Sequence, residues 1–263
     1  MQAFYKNLAT YGKIMSLIRK KDVKVNGARV SKDGRVSVGD KIEVYYDGED
    51  KRTLTEIYKD EDVLAAYKPS GVTSEDFFDY VKSVYPSAEF IHRLDRNTDG
   101  IMIFALGKSA EEELLKGFKQ RTFDKYYLAE VYGVPAPDAA VLTGYLKKDP
   151  EKAEVRVYRD KTAGAVEIKT AYKVLKKSGA TSVLEVKLIT GKTHQIRAHL
   201  ASVGHFILGD GKYGKESVNR KYGFKSQRLT AYRLVLNFNG GKLGRLDGKE
   251  IIYTPALAAY GIK

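Results

Sequence analysis

The chain has 263 residues, with 46 Lys and Arg against 33 Asp and Glu, a formal net charge of +13 and a pI near 9.5. It contains no cysteine, which excludes disulfide scaffolds, thiolate zinc sites, iron–sulfur clusters and cysteine nucleophiles together. Its longest apolar run, Ile101–Leu106, is far short of the roughly 18–20 residues of a membrane helix. No apolar leader is evident in its first residues, so the expectation is a cytoplasmic, basic globular protein without a membrane segment. The positive charge is concentrated: residues 1–46 hold ten Lys and Arg against four acids, and residues 209–233 hold seven against two. Such stretches suit a polyanion, and RNA or DNA phosphates are the commonest in a cytoplasm.

In chain order, Ile14, Leu17 and Ile18 stand at helical spacing, followed by Arg19, Lys20 and Lys21. Val23 and Val25 alternate with Lys24 before Asn26-Gly27, a type I′ hairpin signal, and Gly39-Asp40 precedes another alternating strand, Ile42–Tyr46. The helix, the Lys-Val-Asn-Gly turn and the Gly-Asp-x-Ile strand resemble an S4 RNA-binding domain. That resemblance implies a domain over residues 1–47, with Arg19, Lys20 and Lys21 along RNA backbone. Residues 48–60 are polar and without an apolar face, and read as a linker.

The remaining residues, 61–263, open with a strand at Val63–Tyr67 and a turn at Lys68-Pro69-Ser70-Gly71. Thr73 and Asp76 stand at capping-box spacing before a helix that Pro86 stops, and Ser109 and Glu112 repeat the arrangement. Strands follow at Tyr126–Tyr132, Gly164–Val174, Ser182–Ile189 and Leu229–Phe238. Few helices and many strands, without regular βαβ alternation, predict an α+β fold on a mixed, mainly antiparallel sheet.

Two decoys need weighing. His194 and His199 are five apart, not four, with Gln195 where a metalloprotease would place its glutamate, so no metal is expected. Gly209-x-Gly211-x-x-Gly214 mimics a dinucleotide fingerprint but lacks a proper strand before it and an acid about 20 residues on. These glycines read instead as a loop that approaches something closely.

The informative stretch is His92-Arg93-Leu94-Asp95-Arg96-Asn97-Thr98-Asp99-Gly100, polar residues crowded just before the longest apolar run. It reads as a functional loop on a rigid strand, or as a turn capped by Asp95 or Asp99. Further on, Thr190–Leu200 reads as a turn and helix with Thr193 as N-cap, Gly204 as stop and Ile196, Leu200 and Val203 buried. Arg197 lies beside that stripe, where a guanidinium needs a carboxylate; Asp95 is the expected partner.

His92-Arg93-Leu94-Asp95-x-x-Thr98-x-Gly100 resembles the signature of RluA-type RNA pseudouridine synthases. Other pieces follow in order: Lys68-Pro69-x-Gly71, Lys125-x-Tyr127-Leu128-Ala129, Gly191-x-Thr193-His194-Gln195-Ile196-Arg197, Gly209-Asp210-x-x-Tyr213-Gly214 and Leu229-x-Ala231-Tyr232. Asp99, Lys192, Phe206 and Thr230 depart from the family's usual Ser, Arg, Pro and His. The resemblance implies a pseudouridine synthase domain over 61–263 that detaches uracil from C1′, turns it and rejoins it through C5, in ribosomal RNA or alternatively transfer RNA.

It assigns Asp95 as nucleophile or base at the sugar, Arg197 as the group holding it ionised, and Tyr127 as the ring against uracil that takes the C5 proton. A core tyrosine is the competing reading of Tyr127, and Tyr126 points to the opposite strand face. A base must leave its stack to reach such a pocket, and Arg93 would fill the space. His92, Thr98, Lys192, His194 and Gln195 are further substrate contacts; Lys212, Lys215, Arg220, Lys221, Lys225 and Arg228 are candidates for phosphate, or for a solvated face. Asp99 is read as a cap or an RNA contact. The expectation is a monomer without cofactor; the alternative is an RNA chaperone or assembly factor with a vestigial pocket.

Overall fold

A computed structural model describes residues 14–15, 17–18, 21–45, 54–149 and 154–262. Arg19 and Lys20 lie outside the described residues. Near the start, β1 (Val23–Val25), β2 (Ala28–Arg29) and β3 (Ile42–Val44) form a three-stranded antiparallel sheet in the order β2-β1-β3. Asn26 and Gly27 both have positive φ, 51° and 81°, as a type I′ turn requires. Ile14, Ile18 and Val23 form its small core, and Lys21 is exposed.

An eleven-stranded sheet dominates the rest, its main path running β10-β9-β11-β12-β8-β13-β7-β5-β4. In chain order these are β4 (Glu56–Lys59), β5 (Val63–Lys68), β6 (Glu89–Phe90), β7 (Asp99–Ala105), β8 (Asp124–Tyr132), β9 (Ala139–Asp149), β10 (Glu154–Tyr158), β11 (Val166–Ser178), β12 (Thr181–Leu188), β13 (Leu229–Leu236) and β14 (Lys249–Ile252). Every pairing is antiparallel except β13 with β7, so the sheet is mixed and mainly antiparallel, as expected. The helices are α1 (Ser74–Val84), α2 (Lys108–Gln120), α3 (Gln195–Ser202), α4 (Glu216–Tyr222) and α5 (Thr254–Ala259).

The central strands explain the apolar run. Along β7, Met102 and Phe104 enter one core with Leu64, Phe77, Tyr127 and Leu200, while Ile101 and Ile103 enter another with Leu114, Phe123 and Leu234. A strand covered on both faces must be apolar at every position. Gly100, second in this strand, has φ 115°, and a Cβ there would lie 2.1 Å from the Ala231 carbonyl oxygen of β13. Only glycine lets the parallel partner come so close.

Several expectations need correction. The large sheet begins inside the presumed linker, because β4 pairs with β5. Residue 109 is within α2, whose N-cap is Gly107 with no side-chain cap. The cap of α3 is His194, in left-handed conformation, rather than Thr193, and Val203 is 44% exposed rather than buried. By contrast Thr73 does cap α1, its hydroxyl accepting the Asp76 N–H at 3.0 Å.

Candidate active site

The segment before β7 is held by the turn after β5. Ser74, buried at the start of α1, donates its hydroxyl to the Leu94 carbonyl at 2.8 Å and accepts the Leu94 N–H at 2.9 Å. Lys68 is fully buried and donates to the carbonyls of Pro69, Val72 and Arg96 at 3.0, 2.8 and 3.2 Å. Gly71 N–H bonds the Arg96 carbonyl, and Arg96 Nε returns a bond to the Gly71 carbonyl. The residues on either side of Asp95 are thus fixed through main-chain groups, which leaves its carboxylate to the cavity.

That cavity has a volume of about 350 Å³, within the usual range for a small-molecule site. Asp95, Tyr127 and Arg197 all line it, as do His92, Arg93, Thr98, Lys192, His194 and Gln195. Leu94, Leu188, Ile196 and Leu229 supply apolar wall. Arg197 Nη1 donates to Asp95 Oδ2 at 3.0 Å, and His194 Nε2 stands 3.9 Å from the same oxygen. Among the described residues no hydrogen bond is made to Asp95 Oδ1.

Arg197 has a second partner that the sequence reading did not assign. Its Nε and Nη2 donate to the two oxygens of Asp210 at 2.7 and 3.0 Å. Asp210 is buried and also accepts the backbone N–H groups of Lys212 and Tyr213. Burial pushes the Asp210 carboxyl up, but Arg197 and the two N–H groups outweigh it and hold it below the usual carboxylate range. The glycine-rich loop serves this acid: Asn219 bonds the Gly209 N–H and the Asp210 carbonyl, and Gly209 packs against the Ser226 backbone. Tyr213 lies under the guanidinium at 5.2 Å, and its hydroxyl meets His194 Nδ1 at 2.9 Å. The signal was present in Gly209-Asp210-x-x-Tyr213-Gly214, which reads as a loop and as a piece of the family pattern without a role for the acid.

Tyr127 is buried on the cavity wall. Burial, and then the charge of Asp95, push its phenol well above the usual range, so it is protonated at neutral pH. His194 is pushed down, chiefly by burial, against the pull of Asp95.

Three of the expected substrate contacts, all lining the cavity, also hold partners within the protein. Gln195 accepts from the Thr190 hydroxyl and the Lys192 N–H and donates to the Lys169 carbonyl and the Thr170 hydroxyl, so its amide is fully occupied. Thr98 accepts from Gln227 Nε2 at 2.6 Å. His92 accepts the Ile103 N–H on Nε2 at 3.0 Å and stacks on Phe118; burial, then the charge of Lys125, pushes it down to about 3. Asp99 is neither cap nor exposed contact: it accepts the hydroxyls of Thr230 and Tyr67, each at 2.7 Å. Two of the four departures from the family pattern, Asp99 and Thr230, therefore pair with one another. Arg93 and Lys192 are exposed at the cavity. Arg228 is committed to Glu130 at 3.0 Å and to the Tyr260 ring, and Arg220 to Glu216 at 2.6 Å.

The model of a family described as RNA pseudouridylate synthase matches residues 62–202. The dual-specificity RNA pseudouridine synthase RluA of Escherichia coli K12 is 33% identical over 195 residues, covering 70% of this chain and 84% of that protein. Its Yersinia pestis counterpart is 35% identical over 169 residues, covering 60% and 80%. The solved human RNA pseudouridylate synthase domain containing 1 shares the fold, with a TM-score of 0.64 at 23% identity over 76% of this chain and 89% of that one. A binding protein with a decayed pocket is not favoured beside these relatives. With a carboxylate, a guanidinium and a phenol joined in one cavity, the chain belongs to the RNA pseudouridylate synthase family and is an RluA-type RNA pseudouridine synthase.

Proposed function

We propose that this synthase acts on uridines in structured ribosomal RNA, transfer RNA being the other outcome of the test, with Asp95 as the group that works at the sugar. The observation that carries the reading is the single bond from Arg197 to Asp95 Oδ2, which orients the carboxylate while leaving Oδ1 for the substrate. Asp95 attacks C1′ or removes the neighbouring proton, and the N1 bond breaks. The freed uracil turns in the cavity and C5 bonds to C1′. No water need enter, which suits one carboxylate rather than the separated pair of a glycosidase.

Tyr127 lies against the base. Its hydroxyl is the group proposed to take the C5 proton, handing its own proton to Asp95 in the same step so that no free phenolate forms. Arg93, exposed at the rim 3.7 Å from Glu75, is placed to fill the space left by the base. Lys192 stands at the same rim as a phosphate contact.

The small β1–β3 sheet is read as an S4-like RNA-binding module. Its hairpin, its exposed Lys21 and the stacking of Lys24 and Arg29 over the Tyr45 ring, at 5.0 and 5.8 Å, support that reading. An RNA substrate supports a cytoplasmic setting. No helix among the described residues is long and apolar enough to cross a membrane.

The test is a comparison of pseudouridine maps of total RNA from cells with and without the protein. Loss of pseudouridine at discrete ribosomal positions is expected; loss confined to transfer RNA would move the substrate there. Identical maps, with no conversion by the purified protein, would overturn the reading.

A further inference from the structure

The cavity has a second end that the chemistry at Asp95 does not use. There Phe118 of α2, Arg121 at its left-handed C-cap and Lys125 of β8 line the wall. Lys125 stands two residues before Tyr127, so both side chains leave the same face of the strand, with Cα atoms about 7 Å apart. The Lys125 ammonium lies 5.5 Å from the Phe118 ring centre.

Its neighbour Asp124 is engaged on Lys187, at 2.8 Å. Among the described residues neither Lys125 nor Arg121 has a carboxylate within 4 Å. Two cations share one end of a pocket, then, without an acid to balance them. Burial pushes Lys125 down, the charge of Arg121 pushes it further, and Asp124 only partly opposes. An anion seated between them would relieve that repulsion and restore the ammonium.

We propose that Arg121 and Lys125 form a phosphate subsite, which grips the RNA phosphodiester next to the uridine seated at Asp95. This rests on the reading of Asp95 and Tyr127 as the uridine site. One strand then carries both halves of the recognition: the phenol of Tyr127 for the base, and the ammonium of Lys125 for the backbone beside it. Arg121 closes the subsite from the end of α2. Such a grip would hold the nucleotide out of its stack while the base turns.

The probe is a short RNA stem-loop carrying a uridine that mapping shows to be modified, with or without a neutral methylphosphonate at either phosphate flanking it. Lys125→Gln and Arg121→Gln are each expected to raise KM about tenfold while changing kcat far less. Each should also lower the slope of log Kd against log salt by about one. Lys125→Arg should restore KM. Neutralising the gripped phosphate should weaken the wild-type protein to the same degree and cost Lys125→Gln nothing more. An unchanged KM and salt slope, a loss confined to kcat, or methylphosphonate and Lys125→Gln losses that simply add would overturn the subsite. A wild-type protein that converts no uridine in any RNA would bring down the parent reading as well. An active wild type with indifferent variants would sink the subsite alone.

Discussion

Arg197 gives two of its donors to Asp210 and only one to Asp95. A guanidinium shared in this way leaves the cluster with one surplus negative charge, carried by the acid facing the cavity. Asp210 anchors and neutralises the arginine, and Asp95 is oriented without being neutralised.

Asp210→Asn should therefore damage catalysis although the side chain is sealed from the cavity. Removing one partner of a buried pair costs on the order of 3–5 kcal/mol of stability, and a misplaced Arg197 is expected to lower kcat about 100-fold. RNA affinity should stay within a few-fold. Denaturant melts with single-turnover assays check this; a variant of normal stability and kcat would show that Arg197 needs no second acid.

Lys68→Met isolates the clamp behind the Asp95 loop. Three carbonyls lose their shared donor, and an unsatisfied buried acceptor costs about 1–3 kcal/mol. The Arg96 carbonyl is one residue from Asp95, so kcat should fall along with the melting temperature. A melting temperature equal to wild type would contradict the clamp.

The adjacent tyrosines separate chemistry from packing. Tyr127→Phe keeps the ring and removes the hydroxyl, and is expected to reduce turnover by about 100-fold or more while RNA binding persists. Tyr126 lies on the other face, its ring 3.7 Å from the Arg233 guanidinium. Tyr126→Phe should leave turnover within about twofold. Equal effects of the two changes would remove the role assigned to Tyr127.

Much of this site was legible in the sequence because its parts are local. The polar crowd at 92–99 before an apolar run marks a loop on a doubly buried strand, and the alternation on β8 separates Tyr127 from Tyr126. The link between Asp95 and Arg197 spans 102 residues and followed from the need of a buried guanidinium for an acid and from the family resemblance. That same need did not reveal the second acid, because Asp210 sat among glycines that suggested a loop, and its place in the family pattern carried no role for its side chain. Gln195 and Thr98 also hold partners within the protein, which the sequence did not reveal because a polar side chain in a motif does not announce what it bonds. The hairpin of β9 and β10 was missed for a simpler reason: β10 is the edge strand and β9, next to it, buries little beyond Gly144 and Leu146, so its apolar alternation is faint.

Buried neutral histidines give the fold an acid edge. Unfolded imidazoles titrate near 6.5, whereas burial holds His92 down to about 3 and His199 to about 4. Between those values the unfolded chain binds more protons, so stability rises with pH and is lost as pH falls from about 6.5 toward 4. His199 is 2% exposed, and its share is on the order of 3 kcal/mol. Urea midpoints from pH 7.5 to 4 should show this decline. His199→Gln should reduce the slope by about one proton; an unaltered slope would contradict the assignment.

The most direct measurement concerns Asp95 itself. Asp95→Asn retains an oxygen for Arg197 and the shape of the side chain but cannot attack or deprotonate the sugar. In single-turnover reactions on an RNA that the wild-type protein modifies, it should form no pseudouridine while binding that RNA within a few-fold of wild type. Conversion at the normal rate would place the chemistry elsewhere in the molecule.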